Sequence, residues 1–347
     1  MMHHDKETML LEEKSTIKAD IEPKAVEGEQ QTSAALARSC QPCVICGQVE
    51  TQEVLRAPDR FHGRQQKYSL VRCLNCSFVW LSDPPQPEEM YLHYTEAYHK
   101  LISAAGENSP GRWRSRVETA RAYKQAGDIL DLGCSSGGFL EFFYNQGWRL
   151  YGIEMSADCA KRAEERTGAK VFVGDILDAS FSPQSFDVIT CFDVLEHLYH
   201  PRQVLEKVKG WLKPDGIFYV QIPNIESAEA RVFRSYWHGL ELPRHLFHYS
   251  PESLKLLGQA CGLRPLSITT ERNSAVGTSL RYVFDDIFRT VGIRKRPIAY
   301  SGEASLPWKA ARKLARLTVL RALLTMAALA GEGECIHGIF QPSTPIA

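Results

Sequence analysis

The clearest pattern in the chain lies between residue 128 and about residue 270. Apolar runs of four to seven residues alternate there with stretches of helical periodicity. Strands are predicted over 129–132, 149–153, 170–173, 188–192, 217–222 and 265–270, with helices over 138–146, 157–167, 201–211 and 251–261. Such alternation gives an α/β class with a mostly parallel sheet and helices on both faces. Residues 335–341 read as a last, returning strand, for seven in all. Gly216 before a strand and Gly262 after a helix stand where helices end.

The rest of the chain has a different texture. Residues 1–38 are polar, charged and poor in aromatics, and are expected to be a disordered tail. Over 39–82, two Cys-x-x-Cys pairs bracket short strand-like pieces at 68–72 and 78–81. Asp83-Pro-Pro-Gln-Pro87 then opens a helical, Tyr-rich connector over 83–125. The remainder, 126–347, forms one domain with a helical insertion at about 275–331, rich in Arg and Leu.

Composition narrows the function classes. The 347 residues carry 41 Lys+Arg against 41 Asp+Glu, a balance that weighs against a protein built to grip nucleic-acid phosphates. The N-terminus lacks the apolar core of a secretory signal, and no apolar run reaches spanning length; the richest stretch, 314–330, is broken by Arg316 and Arg321. Ten cysteines in such a chain read as thiols and a metal site, not a disulfide framework, and the chain is expected in the cytoplasm.

The most informative segment is Asp128-Ile-Leu-Asp131-Leu-Gly133-Cys134-Ser135-Ser136-Gly137-Gly138. A strand ends in a Gly-rich turn that opens a helix, where backbone N–H groups can meet a ligand. The spacing fits the dinucleotide fingerprint poorly, and Asp131 would repel phosphate. Two further acids close later strands. Glu154 is placed to accept both ribose hydroxyls, and Asp175 to accept from an adenine amino group. Together the three suit a cationic, ribose-bearing ligand without phosphates.

In these motifs the chain resembles the class I S-adenosylmethionine-dependent methyltransferases. The matching residues are 131–137 (Asp-Leu-Gly-Cys-Ser-Ser-Gly), 152–155 (Gly-Ile-Glu-Met), 174–175 (Gly-Asp), 186–189 (Phe-Asp-Val-Ile), 194–197 (Val-Leu-Glu-His) and 212–216 (Leu-Lys-Pro-Asp-Gly). The resemblance covers roughly 120–270 and rests on the order of the set. It implies a Rossmann-like sheet and S-adenosylmethionine as cofactor. Gly133, Cys134, Ser135 and Gly137 would line the methionine moiety, with Asp131 near its amino group. Glu154 would bind the ribose with Met155 beside the adenine, Asp175 and Ile176 would hold the adenine edge, and Phe192 and Asp193 would line the floor near the sulfonium.

Cys43-x-x-Cys46-Gly47 and Cys73-x-x-Cys76-Ser77 have the spacing of a closed four-thiolate site, which selects structural zinc. Cys40 stands at the same spacing from Cys43 and competes as a ligand; the Gly47/Ser77 symmetry favours Cys43 and Cys46. The segment resembles the zinc ribbon that precedes some small-molecule and sugar methyltransferases, and a zinc module also precedes the catalytic domain of certain rRNA methyltransferases.

Residues 236–251 gather three His, an Arg, a Glu and several aromatics after the 217–222 strand. The run is similar to the Pro-x-His-x-x-x-Phe/Tyr-Ser segment of many zinc-ribbon methyltransferases and the Glu-His-x-x-x-x-Ser segment of sugar C-methyltransferases. His245 is the residue chosen as general base, against a purely loop-anchoring role. Farther on, a helix from Trp308 would show Lys309, Arg312, Lys313 and Arg316 beside a Leu face. Such a helix is usually a solvated face over a core face, and 308–330 is also the segment for peripheral contact with the inner face of a membrane.

These readings converge on a methyltransferase acting on oxygen or carbon of a small molecule, sugar nucleotide or envelope-glycan precursor. The alternatives are an rRNA or tRNA methyltransferase that docks RNA through the zinc ribbon, and a non-catalytic zinc-binding adaptor. The sequence is silent on oligomeric state.

Overall fold

The computed structural model describes residues 37–38, 41–96, 98, 110–272, 276–290, 292 and 325–343. Residues 1–36 of the tail, Cys40, and the Lys309, Arg312, Lys313 and Arg316 stripe of the basic helix lie outside the described residues, while Ala37–Arg38, expected in the disordered tail, form a strand. Those described belong to one compact unit, and no helix among them is long and apolar enough to cross a membrane.

The strands are β1 (Ala37–Arg38), β2 (Glu50–Pro58), β3 (Lys67–Cys73), β4 (Val79–Leu81), β5 (Gly127–Leu132), β6 (Trp148–Glu154), β7 (Lys170–Val173), β8 (Phe186–Phe192), β9 (Leu212–Pro223), β10 (Phe247–His248), β11 (Leu263–Glu271) and β12 (Cys335–Pro342). The main helices are α1 (Pro87–Met90), α2 (Pro110–Tyr123), α3 (Ala157–Thr167), α4 (Pro201–Trp211), α5 (Ala228–Phe233), α6 (Pro251–Ala260) and α7 (Val276–Thr290). Seven strands form one sheet in the order β11-β12-β9-β8-β5-β6-β7. Its ladders from β9 to β7 are parallel, while β12 runs antiparallel to both β9 and β11. This is the mostly parallel α/β sheet the periodicity predicts, in the Rossmann-like form the resemblance implies.

The central strands explain their own apolar runs. Ile129, Leu130, Val188, Ile189, Val220 and Ile222 have no measurable exposure, since helices cover both faces. Local signals set the helix ends. Ser156 caps α3 by accepting from the Cys159 N–H, Gly168 (φ 67°) closes it, and Ser250 and Ser253 form a reciprocal cap on α6. Two expectations fail. The helix predicted over 138–146 is only a 3-10 turn, Leu140–Phe143. Glycines start the segment, the aromatic run 142–144 is a weak helix former, and Asn145 (φ 56°) and Gly147 (φ 79°) turn the chain out early. Gly216 ends no helix: α4 stops at Trp211 and Gly216 lies inside β9.

A second, antiparallel sheet has the order β1-β2-β3-β4-β10. Its last strand comes from the segment between β9 and α6, with Phe247 opposite Trp80 and His248 opposite Val79. The N-terminal cysteine segment therefore shares a core with the larger sheet. Phe78 stacks on Phe247 (centroids 5.7 Å apart, planes 11°) and leans on Tyr249 at 5.3 Å.

Candidate active site

The glycine turn sits at the carboxyl end of β5, beside the tip of β6. Gly133 (φ 72°) and Cys134 both donate their N–H to the Ile153 carbonyl, at 2.8 and 3.1 Å. The turn is closed tightly: a Cβ on Gly133 would come within 2.5 Å of Val194, and one on Gly137 (φ 77°) within 3.1 Å of the Ala163 backbone. Cys134 is buried against Gly152, and Ser135 takes the left-handed conformation (φ 47°).

Three carboxylates stand at adjacent strand tips, as the motif order predicts. Glu154 is fixed at both oxygens, by the Ser135 N–H and the Ser156 N–H, each at 2.9 Å. Each oxygen keeps a lone pair for a further donor. Asp175 is exposed and accepts the Leu177 N–H at 2.7 Å. Asp131 is buried and accepts from the Thr190 hydroxyl at 2.6 Å; burial, helped by the Glu154 charge, pushes its pKa up to about 7. Ile176 and Phe192 are buried beneath this rim, and Met155 is exposed above it. Asp193 takes a left-handed conformation (φ 56°) and accepts the Gln221 amide at 3.0 Å.

Helix α2 closes the same end, which the sequence reading missed. Its Arg116 is buried, 3.8 Å from Asp193, with its guanidinium 4.9 Å from the Phe192 and Trp113 rings. It is the cation that opposes the rise at Asp131. A buried cation facing two acids at a helix-forming but weakly amphipathic segment had no motif to announce it.

A second group gathers on the loop after α5. His245 is buried, and its Nδ1–H donates to the Gly239 carbonyl at 2.9 Å, which leaves a lone pair on Nε2. That nitrogen lies 3.6 Å from Glu241 and 4.0 Å from Glu196. The His197 ring is 4.6 Å away, its Nδ1 within 3.0 Å of the Tyr94 hydroxyl. Burial holds His245 below the ordinary histidine value and His197 down at about 3. Burial also pushes Glu196 well above the carboxylate range, with Asp193 and Glu241 adding to it. Glu241 goes the other way. Although burial opposes it, His245 and Arg244 keep it ionised, at about 2.

Arg244 joins this loop to the cysteine segment. Its Nε donates to Glu241 at 3.1 Å, and Nη1 lies 3.8 Å from Asp59, which follows β2. Asp59 in turn accepts from His62 Nδ1 at 2.8 Å. All three side chains are buried.

The four predicted cysteines come together. Cys43 and Cys76 have their sulfurs 3.5 Å apart, as have Cys46 and Cys73, and all four lie within 4.8 Å of one another. A tetrahedron of sulfurs about 2.3 Å from zinc has edges of about 3.8 Å, and the two 3.5 Å pairs come close to that spacing. Gly47 (φ 74°) and Ser77 (φ 61°) turn the two knuckles alike, each donating its N–H to the carbonyl of the first cysteine of its pair.

The chain is similar to several known methyltransferases. Residues 105–268 match the family profile of a methyltransferase domain. The ubiquinone biosynthesis O-methyltransferase of Glaesserella parasuis serovar 5 (strain SH0165) is 31% identical over 106 residues, covering 28% of this chain and 45% of that protein. The protein of the same name from Coxiella burnetii (strain RSA 493 / Nine Mile phase I) is 29% identical over 158 residues, covering 41% and 65%. The chain thus spans about half the length of the first and under two thirds of the second. A solved S-adenosylmethionine-dependent methyltransferase from Archaeoglobus fulgidus aligns with 70% of this chain and 99% of its own, at 18% identity and a TM-score of 0.47. By its profile match, its motif order and its strand-tip acids, the 105–268 segment is a methyltransferase domain of the class I S-adenosylmethionine-dependent kind.

Proposed function

We propose that the protein transfers a methyl group from S-adenosylmethionine to an oxygen or carbon atom of a small-molecule acceptor, the class to which sugar nucleotides and glycan precursors belong. The observation that carries this reading is the Glu154 carboxylate, held at both oxygens by backbone N–H groups between Asp131 and Asp175. That arrangement suits a nucleoside with a positive charge and no phosphate. The relatives named as ubiquinone biosynthesis O-methyltransferases support a small acceptor.

The site fits such a cofactor. Glu154 would take the ribose hydroxyls, and Asp175 with Ile176 the adenine edge beside exposed Met155. Gly133, Cys134, Ser135 and Gly137 would line the methionine part, whose carboxylate Arg116 is charged to receive and whose amino group Asp131 would accept. Phe192 and Asp193 would floor the sulfonium. When bound, the sulfonium supplies both the methyl group and its leaving group, so the protein has to align the acceptor and exclude water.

His245 is the base in this scheme. With Nδ1–H committed to Gly239, Nε2 is free to take the acceptor's proton. Burial keeps the ring neutral near pH 7, so the base form is the resting form. The imidazolium that results is stabilised by Glu241, ionised and 3.6 Å away. In the same reading Cys43, Cys46, Cys73 and Cys76 hold structural zinc, which pins the sheet against which the His245 loop packs.

The test is isothermal titration with S-adenosylmethionine on the full chain, followed by labelled-methyl transfer to fractionated small-molecule extracts. Cofactor binding with a labelled small product is expected. Absence of cofactor binding would sink the reading, and label appearing only in RNA would replace the acceptor class.

A further inference from the structure

Away from the proposed base, three side chains that the mechanism leaves unused converge. Glu229 lies on α5, His238 on the loop that follows it, and Glu334 on the turn into β12. His238 Nε2 is 2.9 Å from Glu334, and its Nδ1 is 3.6 Å from Glu229. The three donor atoms lie within 4.8 Å of one another. Glu229 and Glu334 are each 4% exposed.

Two observations point to a cation-binding group. First, two buried carboxylates face one imidazole, so with both ionised even a charged His238 leaves one negative charge over. Buried charge without a partner is costly; a proton taken up by one carboxylate relieves it, and so does a bound cation. Second, neither Glu334 oxygen has a hydrogen bond of acceptable geometry, although both are sealed from solvent. The surroundings also resemble a supported ligand set. The Ser279 hydroxyl of α7 donates to Glu229 at 3.0 Å, and the Glu334 backbone carbonyl is fixed by the Asn224 N–H at 2.7 Å.

We propose that Glu229, His238 and Glu334 bind a divalent first-row cation, with manganese(II) as the probe ion, tying α5, the loop after it and the start of β12 together. Two hard carboxylates and one borderline imidazole make a predominantly hard donor set. It suits manganese(II), in contrast to the soft thiolates of the cysteine group. Water would complete the coordination sphere. The inference does not depend on the identity of the acceptor or on methyl transfer.

The experiment is manganese(II) titration of the full-length, zinc-loaded protein, read by electron paramagnetic resonance of the free ion. One bound manganese per chain is expected, lost in Glu334→Gln and in His238→Asn but kept in His245→Asn. That last variant separates this site from the neighbouring Glu196, His197 and His245 group. Ser279→Ala, which keeps all three ligands, should weaken binding about 10- to 100-fold, as removal of a supporting hydrogen bond does at metal sites. Circular dichroism checks that each variant is folded. Should the two ligand variants fail to fold, the wild-type stoichiometry and the Ser279→Ala shift decide the matter. No bound manganese in the wild type, binding that survives in folded Glu334→Gln, loss in His245→Asn, or an unshifted Ser279→Ala would each overturn the site.

Discussion

Replacing Arg244 with Met tests whether the cysteine segment and the His245 loop are held together by charge. The guanidinium has no exposed surface. It lies 3.8 Å from fully buried Asp59, donates to Glu241 at 3.1 Å and to the His93 carbonyl at 3.3 Å, and sits about equally over the Phe61 and Tyr98 rings at 5.1 and 4.9 Å. At an effective dielectric of about 20, a unit pair 3.8 Å apart interacts by about 4 kcal/mol, before desolvation is set against it. Methionine keeps the apolar stem in place, so packing is largely spared. What remains is Asp59 with only His62 and His93, and Glu241 without its nearest guanidinium. Removing one partner of a buried pair costs about 3–5 kcal/mol, and that loss is expected here. Urea unfolding of the full chain, followed by tryptophan fluorescence with the slope checked for constancy, measures it. Asp59→Asn/Arg244→Met should lose less than the two single changes added together, by about 1–3 kcal/mol. A loss under about 1 kcal/mol in Arg244→Met, or strict additivity in the cycle, would refute the linkage.

Three other outcomes follow from the same geometry. His245→Asn should lower kcat about 10²- to 10⁴-fold while S-adenosylmethionine affinity stays unchanged; near-normal turnover would make the ring a loop anchor. Glu154→Ala removes an anchored, charged acceptor worth about 1.5–3 kcal/mol, so calorimetry should show affinity for the cofactor falling about 10- to 100-fold. Unaltered affinity would move the ribose elsewhere. His197 and His248 are both held down at about 3 by burial, against 6.5 when unfolded. Between those values the unfolded chain binds protons that the native one refuses, so stability falls as pH drops below 6.5, by about 2 kcal/mol for each ring at pH 5. Urea midpoints measured from pH 7 to 5 check this, and a flat profile contradicts it.

The parts of the fold that were legible in the sequence are those in which a local pattern repeats. Ala157–Thr167 and Pro201–Trp211 fall where the periodicity places them, because an amphipathic helix repeats one local rule, and Lys170–Val173 falls there as a short β-branched and aromatic run, although it is largely exposed at the sheet edge. β2 escaped because its nine residues, ETQEVLRAP, mix charged and apolar positions without clean alternation; only Thr51 and Ala57 among them are buried. β10 escaped because two residues carry no period at all: Phe247–His248 is a strand only because β4 is there to pair with it. The site divides in the same way. Asp131, Glu154 and Asp175 could be found from their places after strands. Arg116 and Tyr94 could not, since each comes from the connector and acquires its role only through tertiary contact with Asp193 and His197.

That division bears on what the cysteine segment is for. The loop carrying His245 is clamped at two points by residues upstream of 100. Before it, Arg244 reaches Asp59; after it, Phe247 and His248 pair with β4, and Phe78 packs on Phe247 and Tyr249. The Leu81 N–H also donates to the Leu246 carbonyl at 2.8 Å. A base has to be held to within a fraction of an ångström of its proton, and loops alone rarely achieve that. Here the stiffness comes from a small sheet whose two turns are drawn together by four cysteines. The cysteine group is thus linked to the His245 loop through the backbone of β3 and β4. Loosening it should disturb the position of His245 before it disturbs the distant tips of β5 and β6.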